Sequence, residues 1–139
     1  MAVDALLDTN VLVYAASSEP AEDAKRARAV DLIDSVSFGV SAQVLQEFYV
    51  VATRQAKRKL SPAQALWWLE RFMPFPCVDT DVALVHEAAL GAELHQVSYW
   101  DAAILAAAER LGAPILYTED LNHGQKYGSV QVINPFLST

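Results

Sequence analysis

Cysteine is nearly absent: the 139 residues contain one, Cys77. A single thiol makes no intramolecular disulfide and supplies no thiolate pair for a metal. The chain must therefore be stabilised by its core, with Cys77 expected inside it as a small hydrophobe. Glycine is also scarce, at five residues, and a composition that is 53% hydrophobic and 19% charged excludes the disordered and collagen-like classes. No apolar run reaches the roughly 20 residues of a membrane-spanning helix. The opening Met1-Ala2-Val3-Asp4 carries neither the basic region nor the apolar core of a signal peptide, so a cytoplasmic protein with no membrane partner is expected. Bases are outnumbered, ten against 17 acids for a net charge of -7. That balance argues against a general, charge-driven affinity for nucleic acid, because such binding displaces counterions from a basic face.

What is present suits one domain spanning residues 1–139, long enough to bury roughly 70% of the surface it exposes when unfolded. Ala5 to Leu7 reads as a short buried strand, and Val11 to Ala16 as a helical turn or two. Pro20 opens a second helix with Glu22 and Asp23 at the positive end of its dipole and Ala24, Ala27, Val30 and Ile33 along one face. Phe38-Gly39-Val40 is a brief strand, after which Ser41 caps a helix striped by Val44, Leu45, Phe48, Val51 and Ala52. Ser61, Pro62 and Gln64 make a capping-box start for a helix carrying Trp67 and Trp68, which cannot both face the same way. Cys77-Val78 is a strand, and Thr80 caps a helix from Asp81 to about His95. Ser98 starts a helix whose middle, Ala102 to Ala108, is apolar on nearly every side, and Gly112 ends it. Ile115 to Tyr117 and Val130 to Ile133 complete the strands. This alternation implies a three-layer α/β/α fold with a mainly parallel central sheet.

Four acids stand at the edges of apolar segments: Asp8 and Asp120 after strands, Glu47 on the buried stripe of a helix, Asp101 at the start of another. Each has a structural explanation as well. Asp8 serves as a helix cap, Glu47 as a snorkelling side chain, Asp120 as a turn residue, and Asp101 as the partner of Ser98 in a capping box. Together they form a stronger signal, because all four reach one end of the sheet. Clustered carboxylates repel one another and favour a cation among them. Oxygen ligands without paired His or Cys favour magnesium or manganese over zinc. The histidines, His86, His95 and His123, lack zinc-motif spacing and read as surface residues. A carboxylate-bound magnesium ion suits hydrolysis of a phosphodiester.

The segments Leu6-Leu7-Asp8-Thr9-Asn10-Val11-Leu12, Gln43-Val44-Leu45-Gln46-Glu47-Phe48-Tyr49, Ser98-Tyr99-Trp100-Asp101-Ala102 and Thr118-Glu119-Asp120-Leu121 resemble, in order, the four acidic motifs of the PIN domain. Within that family the length and the ending from Asn122-His123-Gly124-Gln125 through Asn134-Pro135-Phe136 look most like the VapC-type toxins of toxin–antitoxin pairs. The resemblance implies a metal-dependent endoribonuclease, often dimeric, acting on an RNA substrate and held inactive by a small antitoxin. It implies a Mg2+ ion, with Mn2+ as a substitute, bound chiefly by Asp8 and Asp101. Glu47 and Asp120 complete the acidic pocket, and Thr9, Asn10 and Thr118 give polar support. Some relatives carry a further acid where this chain has Asn122 and His123, which leaves that role to Asp120. Neighbouring Glu119 is expected to point away, to the surface.

Four of the ten bases fall within one short run, Arg54, Lys57, Arg58 and Lys59. Read alone the run is a solvated helix end complementing the dipole. With the resemblance, it is a candidate contact for RNA backbone, which positions a substrate without specifying it. Two rival functions are a metal-dependent phosphotransfer domain and a catalytically weak PIN-like scaffold that binds a partner. The first needs an acidic pair after its first strand, where this chain has Asp8-Thr9-Asn10. The second fits less well with the presence of all four acids.

Overall fold

Two strands at the middle of the sheet carry the apolar runs that flank the first and last acidic motifs. In the computed structural model, which describes residues 2–54 and 59–138, β1 (Ala5–Leu7) has all three residues fully buried and pairs in parallel with β2 (Phe38–Ser41) and with β4 (Ile115–Tyr117). β2 pairs in parallel with β3 (Cys77–Val78), and β4 with β6 (Val130–Ile133). The order is β3-β2-β1-β4-β6-β5, and β5 (Lys126–Tyr127) runs antiparallel to β6 at the edge. The sequence reading had no place for β5, although the two-residue Gly128-Ser129 link between Tyr127 and Val130 is a hairpin signal.

The helices between the strands are α1 (Thr9–Ala15), α2 (Asp23–Ser35), α3 (Ala42–Arg54), α4 (Pro62–Phe72), α5 (Val82–His95) and α6 (Tyr99–Leu111). From β1 through β2 to β3 the chain steps in one direction across the sheet, and from β3 to β4 it returns past β1. Right-handed crossovers therefore put α1 to α4 on one face and α5 and α6 on the other. The packing agrees, with α1 against α2 and α3, α3 against α4, and α5 against α6. α6 is the buried centre of its layer, with Ala102 to Leu105, Ala107 and Ala108 inside. It approaches β2 so closely that a Cβ on Gly39 would lie 2.5 Å from a Leu111 methyl and 2.8 Å from the Pro76 carbonyl oxygen, so only glycine fits there.

Several local expectations hold. The Ser61 and Gln64 capping box forms in both directions, Ser41 accepts from the Val44 N–H at 3.2 Å, and Gly112 ends α6 with φ of 77°. Others are corrected. α1 begins at Thr9, two residues earlier than expected, because Asp8 caps it. The cap of α5 is Asp81, which accepts from the Leu84 N–H at 2.8 Å, not Thr80. Pro20 starts a short 3-10 turn that runs into α2, and α2 buries Ala29 and Leu32 while Ala24 and Ala27 are exposed. Steps of three lag the helix by about 60° each, so the four residues chosen for that face drift around the cylinder. Cys77 is exposed rather than buried: on the edge strand β3 the alternation turns Val78 inward and Cys77 out. Of the tryptophans, Trp68 packs on the core and Trp67 is half exposed.

Candidate acidic site

The sheet order reverses between β1 and β4, because the connection after β1 leads to one side and the one entering β4 arrives from the other. In such sheets the crevice outside the carboxyl ends of the two strands at the reversal is where ligands bind. Asp8 follows β1 and Thr118 follows β4, and the register pairing Leu7 with Tyr117 sets them side by side. Asp8 is 4% exposed and Thr118 is fully buried.

Thr118 joins the two chain ends with its single hydroxyl. It donates to Asp8 Oδ2 at 2.7 Å, and it accepts from the Asp120 N–H at 3.1 Å and from Asn10 Nδ2 at 3.3 Å. Asn10 Nδ2 also donates to Asp120 Oδ2 at 3.2 Å. The other Asp8 oxygen accepts from the Thr9 N–H at 2.7 Å. Thus Asp8 is a helix cap and a buried acid of the crevice at once; the two explanations offered by the sequence are compatible.

Burial dominates the electrostatics of Asp8. It lifts the carboxyl from 3.8 to about 7, with the bonds from Thr118 and Thr9 opposing the rise and the charges of Asp120 and Glu47 adding to it. Asp120 is raised too, first by burial and then by the charge of Glu119, and also by that of Asp101. These influences connect all four predicted acids into one negative field. The contact is electrostatic rather than intimate, since among the described residues no three His, Cys, Asp or Glu side chains converge closely enough to enclose a metal ion.

Glu47 and Asp101 come from the helices. Glu47 projects from α3 half-buried, and Gln43, one turn earlier and 9% exposed, donates from Nε2 to Glu47 Oε1 at 2.8 Å. The same nitrogen lies 3.4 Å from the Trp100 carbonyl oxygen, beside Asp101 in the first turn of α6. Gln43 is therefore the link between the two helix-borne acids, and the sequence reading missed it. The signal was available: a Gln and an acid four apart on a helix meet on one face. The Asp101 N–H donates to the Ser98 hydroxyl at 3.1 Å, but the return bond of a capping box is not made, so among the described residues the Asp101 carboxylate has no hydrogen-bond donor.

Two oxygens at the site have no partner among the described residues although they are buried, Thr9 Oγ1 and Asn10 Oδ1. Buried oxygens without donors, next to acids raised first by burial and then by neighbouring charges, are groups that could hold a hard cation. Glu119, expected at the surface, is three-quarters covered and bonded to Tyr14 and Lys25. Arg54 ends α3 and is exposed, as is Lys59, while Lys57 and Arg58 lie outside the described residues. His86 and His123 are exposed, and His95 meets the Tyr127 ring edge-on with centroids 5.4 Å apart.

A family model described as the PIN domain matches residues 5–128. No curated protein sequence matches the chain. Among solved structures it is similar to VapC20 of Mycobacterium tuberculosis, a toxin that cleaves the sarcin–ricin loop, at 19% identity over 84% of this chain and 89% of that one with a TM-score of 0.67. It is similar to a toxin–antitoxin complex from Klebsiella pneumoniae at 18% identity over 94% and 97% of the two chains, with a TM-score of 0.70. VapBC2 from Rickettsia felis, bound to a DNA fragment from its promoter, matches at 19% identity over 92% and 96%, with a TM-score of 0.61. At these identities the likeness speaks for the fold.

Proposed function

The chain belongs to the PIN domain family, and from that membership we propose that it is a magnesium-dependent endoribonuclease acting as the toxin of a toxin–antitoxin pair. The observation that carries the reading is Asp8. A carboxyl driven into the sheet crevice and raised to about 7, chiefly by burial and also by the charges of Asp120 and Glu47, gains further stabilisation of its charged form when a cation joins it. Asp8 and Asp101 are the principal ligands in this reading, with Glu47 and Asp120 nearby and Asn10 Oδ1 an additional oxygen. The spacing of the acids suits Mg2+ or Mn2+ better than a fully proteinaceous cage, because magnesium takes one or two carboxylates directly and keeps several waters. When bound, such an ion polarises a phosphodiester oxygen and lowers the pKa of water beside it. The residues do the rest: Thr118 and Asn10 tie Asp8 to Asp120, and Gln43 holds Glu47 by a hydrogen bond.

RNA is the substrate in this reading. Glu47 and Arg54 are seven residues apart on α3, about 10 Å along the axis, so a strand cut at the acids runs toward Arg54 and Lys59. Exposed apolar side chains on two sides, Trp67 and Met73 near α4 and Leu90 and Leu94 on α5, support protein partners, a small antitoxin and a second copy of the chain. The decisive experiment incubates the purified protein with mixed RNA, with Mg2+ and with chelator, beside Asp8→Asn and Asp101→Asn. Magnesium-dependent cleavage lost in both variants is the expected result. Cleavage that survives both substitutions overturns the site.

A further inference from the structure

The turn after β4 is gripped by groups that the acidic site does not account for. The Tyr14 hydroxyl donates to Glu119 Oε1 at 2.8 Å, and Lys25 Nζ donates to Glu119 Oε2 and to the Tyr14 oxygen, each at 3.2 Å. The three polar groups close a triangle. The ammonium also lies 4.8 Å from the Tyr14 ring centroid and 5.8 Å from that of Phe136, and the two rings meet edge to face at 4.9 Å. The cluster thus unites α1, α2, the end of β4 and the C-terminal segment. Tyr14 stands four residues after Asn10, so the two share a face of α1. Asn10 holds Asp120 and Tyr14 holds Glu119, so one helix face takes two consecutive acids, and Lys25 closes the grip from α2.

We propose that Lys25 and Tyr14 are positioning residues: by clamping Glu119 they fix the Glu119-Asp120 turn, with the Asp120 N–H on the Thr118 hydroxyl and the Asp120 carboxylate where Asn10 meets it. The role rests on the reading of Asp120 as part of the metal-binding site. A partly exposed ion pair such as Lys25 with Glu119, whose side chains are 33% and 25% exposed, adds little stability by itself. Its value lies in geometry and charge. Lys25 offsets the one carboxylate adjacent to the site that is aimed elsewhere, and Tyr14 fixes the direction in which it is aimed.

The test compares the full chain with Lys25→Met, Tyr14→Phe and Lys25→Arg in two measurements. The first is amide hydrogen exchange at Asp120 in metal-free protein, followed by NMR, because that N–H donates to Thr118 Oγ1. The second is the affinity for Mn2+ alone. Lys25→Met and Tyr14→Phe are each expected to speed exchange about fivefold and to weaken Mn2+ binding by a similar factor. Lys25→Arg is expected to stay near the unmodified values, and the two losses, belonging to one unit, are not expected to multiply. Unchanged exchange and Mn2+ affinity in variants whose melting temperature falls would overturn the proposal, leaving a stabilising contact only. Lys25 is partly exposed, so its substitution tests the idea even where Tyr14→Phe fails to fold. If the unmodified protein binds no Mn2+ and cleaves no RNA, the nuclease reading fails, and the exchange measurement still decides whether the clamp orders the turn.

Discussion

The strand-borne half of the acidic site and its helix-borne half are built differently. Asp8 and Asp120 are tied by the Thr118 hydroxyl and the Asn10 amide, four hydrogen bonds in a space sealed from solvent on the Asp8 side. Among the described residues Glu47 and Asp101 share only Gln43, which bonds the Glu47 carboxylate directly and, beside Asp101, the carbonyl of Trp100. The first half is as rigid as the register of two central parallel strands. The second depends on how α3 and α6 pack across the sheet edge. In the proposed nuclease reading, a strand-borne side held by hydrogen bonds and a more open helix-borne side would let an ion and a substrate enter without rebuilding the core.

The largest effect that would break this contrast belongs to Asp8. It holds its proton more tightly folded than unfolded, so between about pH 4 and pH 7 the native state keeps a proton that the unfolded chain has released. Metal-free protein should lose a few kcal/mol as pH rises through that window. Thermal melts across the range should show the fall, Mn2+ should remove most of it, and Asp8→Asn should flatten it. A pH dependence that Glu47→Gln flattens more than Asp8→Asn does would invert the roles of the two halves.

Next in size is Thr118→Val, which keeps the shape and removes the hydroxyl. It leaves an Asp8 oxygen, the Asp120 N–H and the Asn10 amide without their shared partner. A loss of about 2–3 kcal/mol in chemical denaturation is expected. Gln43→Leu comes third, at about 1 kcal/mol, since Glu47 is half-buried and retains access to water. Its clearer signature is in cleavage, which should drop more than stability does. The smallest stability change is expected for Asp101→Asn, within about 0.5 kcal/mol because no donor is lost, although cleavage should disappear. Equal destabilisation by Thr118→Val and Gln43→Leu would erase the distinction between the halves.

Much of this was legible from residues that are close in the chain. Caps at Ser61 and Ser98, the apolar stripe of α3 and the Gly112 stop are local steric and hydrogen-bonding rules, and they held. Local rules also failed in recognisable ways. Thr80 and Asp81 are both good caps, and only the backbone conformation at Asp81 chooses between them. Cys77 looked like core because composition ignores which side of an edge strand a residue faces. The pairing of Gln43 with Glu47 could have been read from their spacing, and that of Lys25 with Glu119, 94 positions apart, could not.

The sequence alone determined the helices, the strands other than β5 and the four acids at their edges, because those properties follow from neighbours within a turn or two. Tertiary structure decided which acid is sealed in the crevice and which are half open. It also decided that one threonine hydroxyl would bond an aspartate 110 positions away from it in the chain. Burial and charge coupling depend on distance through space, and that distance is set by the register of β1 on β4 and the crossing of α6 over the sheet, which no stretch of the chain contains by itself.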